Sequence, residues 1–183
     1  MPGEPHHNIG TLSPEMALLG LLYPAPGYGY DLHRKVIMDL GQVWHLSQSQ
    51  AYTILKRLET KAERLVEEVP QEKLPARHLL HMTDQGRKRF VAWLNQPSGG
   101  SARAIRMEFV TRLYFLRLYM PEMLGEAFFV QKRETEGHIA RLEKMFNHLP
   151  GEQIFNRMSL DMRLRQLRSV LEWLDDYKDK LPL

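Results

Sequence analysis

The sequence has 183 residues and no cysteine, so it cannot hold a disulfide, a thiolate-bound zinc ion, an iron–sulfur cluster or a cysteine nucleophile. It also lacks an apolar run long enough for a membrane-spanning helix. The first residues, 1–8, do not show the basic and apolar regions of a secretory signal. These absences favour a cytoplasmic location, and no membrane partner is expected.

The sequence also lacks a large excess of positive or negative charge. The chain has 25 Lys and Arg against 22 Asp and Glu, a net charge of +3, and the charges are spread over both halves. A chain of this kind is not a polycation. Binding to nucleic acid would therefore depend on a local basic patch rather than on the field of the whole molecule.

The motifs of the common enzyme classes are missing. There is no Walker lysine motif, no Gly-x-Ser-x-Gly elbow and no His-Glu-x-x-His, and the Gly27–Gly29 segment lacks the third glycine of a dinucleotide loop. His78 and His81 are three residues apart on a predicted strand, which points them to opposite faces and makes a poor chelate. The sequence predicts no enzyme activity, no cofactor and no metal site.

The order of the predicted elements is the most informative feature that is present. Three helices precede two strands with a long polar turn, and a fourth helix begins at Thr83-Asp84. The third helix has the clearest start, because Ser47 and Gln50 have the spacing of a capping box. This order is the layout of a winged helix-turn-helix, whose third helix enters the major groove of DNA.

The predicted fold class is mostly α with a small β-wing. We expect a winged helix-turn-helix followed by a helical tail with helices near 104–119, 122–148 and 153–180. The predicted divisions are a flexible arm at 1–11, a DNA-binding domain at 12–95, a linker at 96–101 and a helical dimerisation domain at 102–183.

The exposed face of the third helix carries the candidate DNA-binding residues. Short hydrogen-bonding side chains can reach base edges, and basic side chains one or two turns later can reach phosphates. The alternative is an ordinary solvated helix face. The residues predicted to face DNA on this helix are Gln48, Ser49, Gln50, Tyr52, Thr53, Lys56 and Arg57.

A ladder of leucines near the C-terminus has the spacing of a coiled-coil seam and lasts just over two heptads. We expect it to join two copies of the chain into a homodimer. The leucines are Leu160, Leu164, Leu167, Leu171 and Leu174.

Several segments of residues 12–95 together resemble the PadR family of bacterial transcriptional regulators. They are Leu18-Leu19-Gly20-Leu21-Leu22, Pro26-Gly27-Tyr28-Gly29-Tyr30-Asp31-Leu32, Ser47 with Ala51-Tyr52-Thr53-Ile54-Leu55-Lys56-Arg57-Leu58-Glu59, and Met82-Thr83-Asp84-Gln85-Gly86-Arg87. The long tail resembles the longer-tailed branch of the family. The resemblance implies a homodimer that binds double-stranded DNA, often as a repressor that is released by a small aromatic effector.

The resemblance also assigns roles to residues. Tyr30 and Tyr52 match tyrosines of the family, the second of which packs and also faces the DNA backbone. Lys56 and Arg57 match its basic pair, and Arg77 matches the wing arginine.

The chain departs from the family pattern at three places. No glycine occurs in the connection at 61–64, so the turn is either one residue longer or made without a left-handed conformer. Leu80 replaces a common aromatic residue of the second wing strand. Lys73 is the only basic residue of the wing tip, although we count it among the DNA-binding candidates.

Aromatic residues on both sides of the predicted linker have two interpretations. Trp93, Phe109, Tyr114 and the neighbouring Phe115 could line a cleft for a flat apolar effector. The favoured interpretation is that they belong to the core. Two other functions stay open, namely a helical protein-interaction module whose winged domain no longer binds DNA, and a metal-responsive winged-helix regulator.

Overall fold

The computed structural model describes residues 12–71, 76–178 and 180, and its contacts divide the chain into the units Met1–Trp93 and Leu94–Leu183. The predicted arm at 1–11 and Lys73 lie outside the described residues. The first unit contains α1 (Glu15–Leu21), β1 (Gly27–Tyr28), α2 (Gly29–Leu40), α3 (Gln48–Thr60), β2 (Arg64–Val69), β3 (Arg77–Met82) and α4 (Asp84–Leu94).

The sheet of the first unit has three antiparallel strands in the order β1-β3-β2. The β2–β3 hairpin is the predicted wing, and Val66 lies opposite Leu80 in its register. The short strand β1 was not predicted, and it pairs Gly27 with Leu80 on the other edge of β3. The predicted fold class, mostly α with a small β-wing, is confirmed.

Helix α1 is the centre of this unit, as its apolar composition predicts. Leu18 and Leu19 are fully buried, and Leu22, just after the helix, is 2% exposed. The helix contacts both α2 and α3, so it is apolar over most of its circumference. Burying a leucine side chain contributes about 1.5–3 kcal/mol, so α1 is the apolar support against which α3 packs.

The turn between α3 and β2 keeps a left-handed residue without glycine. Ala62 has a φ of 55°, and its carbonyl oxygen accepts a hydrogen bond of 2.7 Å from the Thr83 hydroxyl. Of the two alternatives for this turn, the one made without a left-handed conformer is therefore wrong. Gly86 comes so close to the same turn that a Cβ there would lie 2.2 Å from the Glu63 carbonyl oxygen.

From Ala102 onward, the described part of the second unit is helical apart from short connections. A short turn α5 (Ala102–Ala104) continues through a π-helical segment (Ile105–Phe109) into α6 (Val110–Tyr119), and a 3₁₀ turn (Pro121–Met123) precedes the long helices α7 (Leu124–His148) and α8 (Ile154–Lys178). Helices α7 and α8 are antiparallel, because Lys132 pairs with Asp175 and Glu143 pairs with Arg168.

The leucine ladder packs within this helical pair. Leu164, Leu167 and Leu174 are at most 4% exposed and Leu160 is 7% exposed, whereas Leu171 is half-buried. Helix α7 covers this face of α8 in the same chain. A second copy cannot use the four buried leucines as its contact surface unless α7 moves away, so the expected role of the ladder in dimerisation is corrected to internal packing.

The segment predicted as a linker contributes a buried residue to the second unit. Ser98 is 1% exposed, and its backbone N–H donates to Gln131 Oε1 at 2.7 Å. Its hydroxyl oxygen accepts a 2.9 Å hydrogen bond from the buried Arg112. Burial lowers the pKa of Arg112 to about 10, against the opposing effect of Glu108. The predicted linker is therefore anchored to α6 and α7.

Candidate nucleic-acid interface

Helix α3 divides cleanly into a buried face and an exposed face. Ala51, Ile54, Leu55 and Leu58 are at most 5% exposed and pack into the core of the first unit. At 3.6 residues per turn, Ser49, Thr53 and Lys56 lie on the opposite, exposed side. The exposed face is therefore polar and basic, as the sequence predicts.

The predicted capping box fixes where α3 begins. The Gln50 backbone N–H donates to Ser47 Oγ at 3.3 Å, and Gln50 Oε1 accepts from the Ser47 backbone N–H at 2.9 Å. The Gln50 carbonyl oxygen is thus engaged by the cap, which leaves its amide N–H₂ as the group that can reach a base. The Thr53 hydroxyl donates to the Ser49 carbonyl oxygen at 2.9 Å, so it can face DNA only as an acceptor.

One flank of α3 borders a groove shared with the hairpin and the start of α2. The groove has a volume of about 750 Å³. Tyr30 and Tyr52, 55% and 47% exposed, both line it, as does the exposed Arg77, whose guanidinium lies 3.8 Å from the centre of the Tyr28 ring. The structure therefore brings together three residues that the sequence placed at the DNA interface.

Arg64 connects α3 to the hairpin on this same flank. It is 6% exposed, its Nε donates to the Leu55 carbonyl oxygen at 2.6 Å, and its Nη2 pairs with Glu59 at 3.0 Å. Burial lowers the pKa of Arg64, which the nearby Glu59 charge partly offsets. The role of Arg64 could not be predicted from the sequence, because its partners on α3 are known only once β2 is placed beside that helix.

The other flank of α3 faces α1 and α4. Arg57 Nη1 lies 3.1 Å from Glu15 Oε1, and Lys61 Nζ lies 3.1 Å from Glu15 Oε2. Arg89 of α4 bridges Glu15 at 2.8 Å and Glu63. Arg57, predicted as a DNA contact, thus has an intramolecular partner, although half of its side chain is exposed. Lys61 and Arg89 were missed by the sequence reasoning.

The histidines of the hairpin are engaged in cross-strand pairs. His81 Nε2 lies 2.7 Å from Glu67, and His78 Nε2 lies 3.8 Å from Glu68. Among the residues that the structure describes, no group of three or more His, Cys, Asp or Glu side chains is arranged to hold a metal ion. Within the same residues, no helix is long and apolar enough to cross a membrane.

The aromatic effector candidates lie mostly in packed surroundings. Phe109 is 1% exposed and makes edge-to-face contacts with Phe128 and Trp173. Tyr114 contacts Phe115 in the same unit, and Trp93 of the first unit stacks on Phe90. The cavity beside Phe109 has a volume of only about 40 Å³. It has room for a few water molecules and not for an aromatic ring.

Three packed helices, a capped polar third helix and a β-hairpin beside it define a winged helix-turn-helix DNA-binding protein. Residues 18–92 match the model of the "Transcriptional regulator PadR-like family", and residues 105–181 match that of "Virulence activator alpha C-term". Residues 18–92 therefore form a PadR-like domain, and the resemblance seen in the sequence is confirmed.

Individual relatives are distant. The chain is 25% identical over 135 residues to the negative transcriptional regulator PadR of Bacillus subtilis strain 168, covering 73% of this chain and 72% of the relative. A crystal structure of Bacillus subtilis PadR in complex with operator DNA shares 22% identity, with a TM-score of 0.43 over 92% of this chain and 98% of that one. The Vibrio cholerae virulence activator AphA shares 20% identity, with a TM-score of 0.40 over 92% and 98% of the two chains.

Proposed function

We propose that the chain binds a specific duplex DNA site through the exposed face of α3. Ser49, Gln50 and Thr53 read base edges in the major groove, and Lys56 contacts a phosphate. Gln48 lies at the end of α3 that enters the groove first. The single observation that carries this proposal is the polar, basic and acid-free exposed face of α3 between Gln48 and Lys56, on a helix whose other face is wholly buried.

The groove beside the hairpin supplies the contacts that position the helix. Tyr30, Tyr52 and Arg77 present two hydroxyl groups and a guanidinium on one flank of α3, where the DNA backbone passes between the major groove and the wing. Backbone contacts of this type fix the register of a protein on the duplex without reading sequence.

We also propose that the protein acts as a homodimer through the outer face of α8. Phe155, Met158 and Met162 are 84%, 62% and 62% exposed, and they lie on the side of α8 opposite the leucine ladder. Exposed apolar side chains clustered in this way are typical of a protein interface. This surface takes the place of the leucine ladder as the proposed contact between copies.

The proposed action is repression in the cytoplasm. The Bacillus subtilis relative is a negative transcriptional regulator, which supports this direction of control. Two recognition helices about 34 Å apart would occupy successive major grooves and block access to a promoter.

The proposed release signal is a small aromatic effector, as the family resemblance implies. A ligand that changes the separation of the two helices would weaken binding at one half-site. Because Phe109 is buried in a packed core, the effector site is expected away from its ring.

Titration of fluorescent DNA from upstream of the protein's own coding region, followed by anisotropy at several salt concentrations, tests the proposal. We expect specific binding, and a drop of about 0.9 in the magnitude of the log–log salt slope for Lys56→Met. Thr53→Val should lower the ratio of specific to non-specific affinity while leaving the slope unchanged, which makes it the matched control. Addition of p-coumaric acid, the compound in one Bacillus subtilis PadR structure, should release the DNA if the effector is of that class.

Equal affinity for upstream and unrelated DNA, or no affinity for either, would contradict the proposal. That result would favour a helical protein-interaction module. Restoration of DNA binding by added metal ions would instead favour a metal-responsive regulator.

A further inference from the structure

The most highly connected charged cluster of the first unit lies outside the proposed reading face. Glu15 of α1 contacts Arg57 and Lys61, and Arg89 joins Glu15 to Glu63. The two carboxylates are buried, with side chains 7% and 6% exposed. The three cations are 50%, 42% and 34% exposed.

This arrangement places negative charge below the surface and positive charge on it. We define Arg57, Lys61 and Arg89 as the cationic cluster. Three positive charges face two buried carboxylates, so the cluster keeps a net charge of about +1 at neutral pH. Each cation uses only part of its N–H donors on the carboxylates, since an arginine has five and a lysine three.

The position of the cluster on α3 decides which anion it can meet. Arg57 follows Lys56 directly and lies between the exposed face of α3 and the flank that contacts α1. A duplex whose major groove holds the exposed face of α3 has a phosphate backbone on each side of that groove. With α3 in that position, the hairpin groove would face one backbone and the cationic cluster would face the other.

We infer that the cationic cluster binds a phosphate of the DNA backbone on the flank of α3 opposite the hairpin, and that Glu15 holds the three cations in place for it. This inference rests on the proposed function and adds Lys61 and Arg89 to the interface. Because buried carboxylates already fix the cations, little side-chain freedom remains to be lost on binding. Glu15 therefore has two opposite effects. Its ion pairs order the cluster, and its negative charge offsets part of the positive charge that attracts the phosphate.

Substitution of Lys61 tests the cluster while leaving most of its framework intact. Lys61→Met keeps Arg57 and Arg89 on Glu15, and we expect the magnitude of the log–log salt slope of DNA binding to fall by about 0.9, the value for one phosphate contact. Lys88→Met is the matched control, because it removes the same charge from an exposed residue of α4 next to Arg89. It should leave the slope at the wild-type value. Equal changes in both variants would show an effect of net charge alone and would overturn the inference.

Glu15→Gln gives a second readout of opposite sign. The amide oxygen of glutamine still accepts hydrogen bonds from the cations and keeps them in place, whereas the lost negative charge leaves them less compensated. We therefore expect DNA affinity to rise about threefold at low salt, as one added favourable charge contact would give. A purely structural cluster predicts the reverse, with lower affinity in proportion to lost folding. Circular dichroism of each variant at the titration temperature establishes that the folded protein is compared.

The outcomes separate the two proposals. If wild type fails to bind DNA specifically, the proposed function fails and this inference fails with it. If wild type binds but Lys61→Met keeps the wild-type slope, only the inference is overturned. Inorganic phosphate added at constant ionic strength should not compete with DNA, and competition that Lys61→Met abolishes would assign the cluster to a free anion instead.

Discussion

Ala62 shows how a single residue can carry conformational strain that its neighbours tolerate. Its φ of 55° lies in the left-handed region, which costs a residue with a Cβ about 1–2 kcal/mol. The conformation persists because the Thr83 hydroxyl binds its carbonyl oxygen and the Glu63 backbone N–H donates to Leu58 at 2.9 Å. The turn therefore has its hydrogen bonds in place and lacks only the residue type that would fit it without strain.

We expect Ala62→Gly to raise the free energy of unfolding by about 1 kcal/mol, because glycine adopts the left-handed conformation without the Cβ penalty. Urea unfolding followed by circular dichroism measures it. Ala92→Gly in the exposed part of α4 is the control, where the same change should cost about 1 kcal/mol. Destabilisation at both positions would contradict the assignment of strain to Ala62.

Residue roles could be predicted from the sequence only where the partners are close in the chain. The capping box at Ser47 and Gln50 was predicted because its two members are three residues apart. The pairing of Glu15 with Arg57 joins residues 42 positions apart, and no local pattern announces it. Arg57 was therefore predicted as a DNA contact without its intramolecular partner, which only the packing of α1 on α3 supplies.

At the scale of elements, strong local signals predicted the long helices and the hairpin, and tertiary pairing produced the rest. Strand β1 has two residues and exists because β3 offers it an edge, with Gly27 opposite Leu80. The 4–3 spacing of leucines correctly indicated a buried stripe on α8. It could not indicate which helix covers the stripe, because the spacing is the same whether the partner is α7 of the same chain or a second copy.

The joining of α1, α3 and α4 through Glu15 has a pH dependence. Burial would raise the pKa of the Glu15 carboxyl, but hydrogen bonds from Arg89 and Lys61, with their charges, outweigh it and hold the pKa below its ordinary value. A carboxyl whose pKa is lower in the folded state contributes stability that is present above its unfolded pKa. That stability is lost as the pH falls through the folded pKa.

We expect Glu15→Gln to lower the free energy of unfolding by about 2 kcal/mol at pH 7, because the buried cluster loses its charged acceptor. The difference from wild type should shrink as the pH falls below about 4.3, the pKa of an ordinary glutamate. Urea titrations between neutral and acidic pH measure it. Glu68→Gln, at a side chain 76% exposed, should match wild type throughout. A difference that stays constant with pH would show that the Glu15 charge contributes nothing.

At the scale of the whole molecule, the outer face of α8 provides the test of assembly. The double substitution Phe155→Glu and Met158→Glu should give monomers in sedimentation, because each new glutamate places a negative charge in the proposed contact. The loss of a second half-site should also abolish specific DNA binding. Arg163→Glu, exposed on another side of α8, serves as the control and should remain dimeric.

If the doubly substituted protein is still a dimer, the contact between copies is on a surface other than the outer face of α8. Charge at Leu167, by contrast, should unfold the α7–α8 pair rather than separate intact protomers, since that side chain is 2% exposed. Comparison of the Phe155/Met158 variant with the Leu167 variant thus distinguishes an interface between copies from packing within one copy.

The anchoring of α3 on both flanks limits how this helix could be transferred to another protein. Transfer of Gln48–Thr60 alone into another winged domain would omit two residues that anchor α3. Glu15 pairs with Arg57. Arg64 of the hairpin donates to the Leu55 carbonyl oxygen and pairs with Glu59. The transferred helix would then keep its amino-acid sequence but lose the contacts that fix its orientation. A faithful chimera has to carry the two anchors along with the helix.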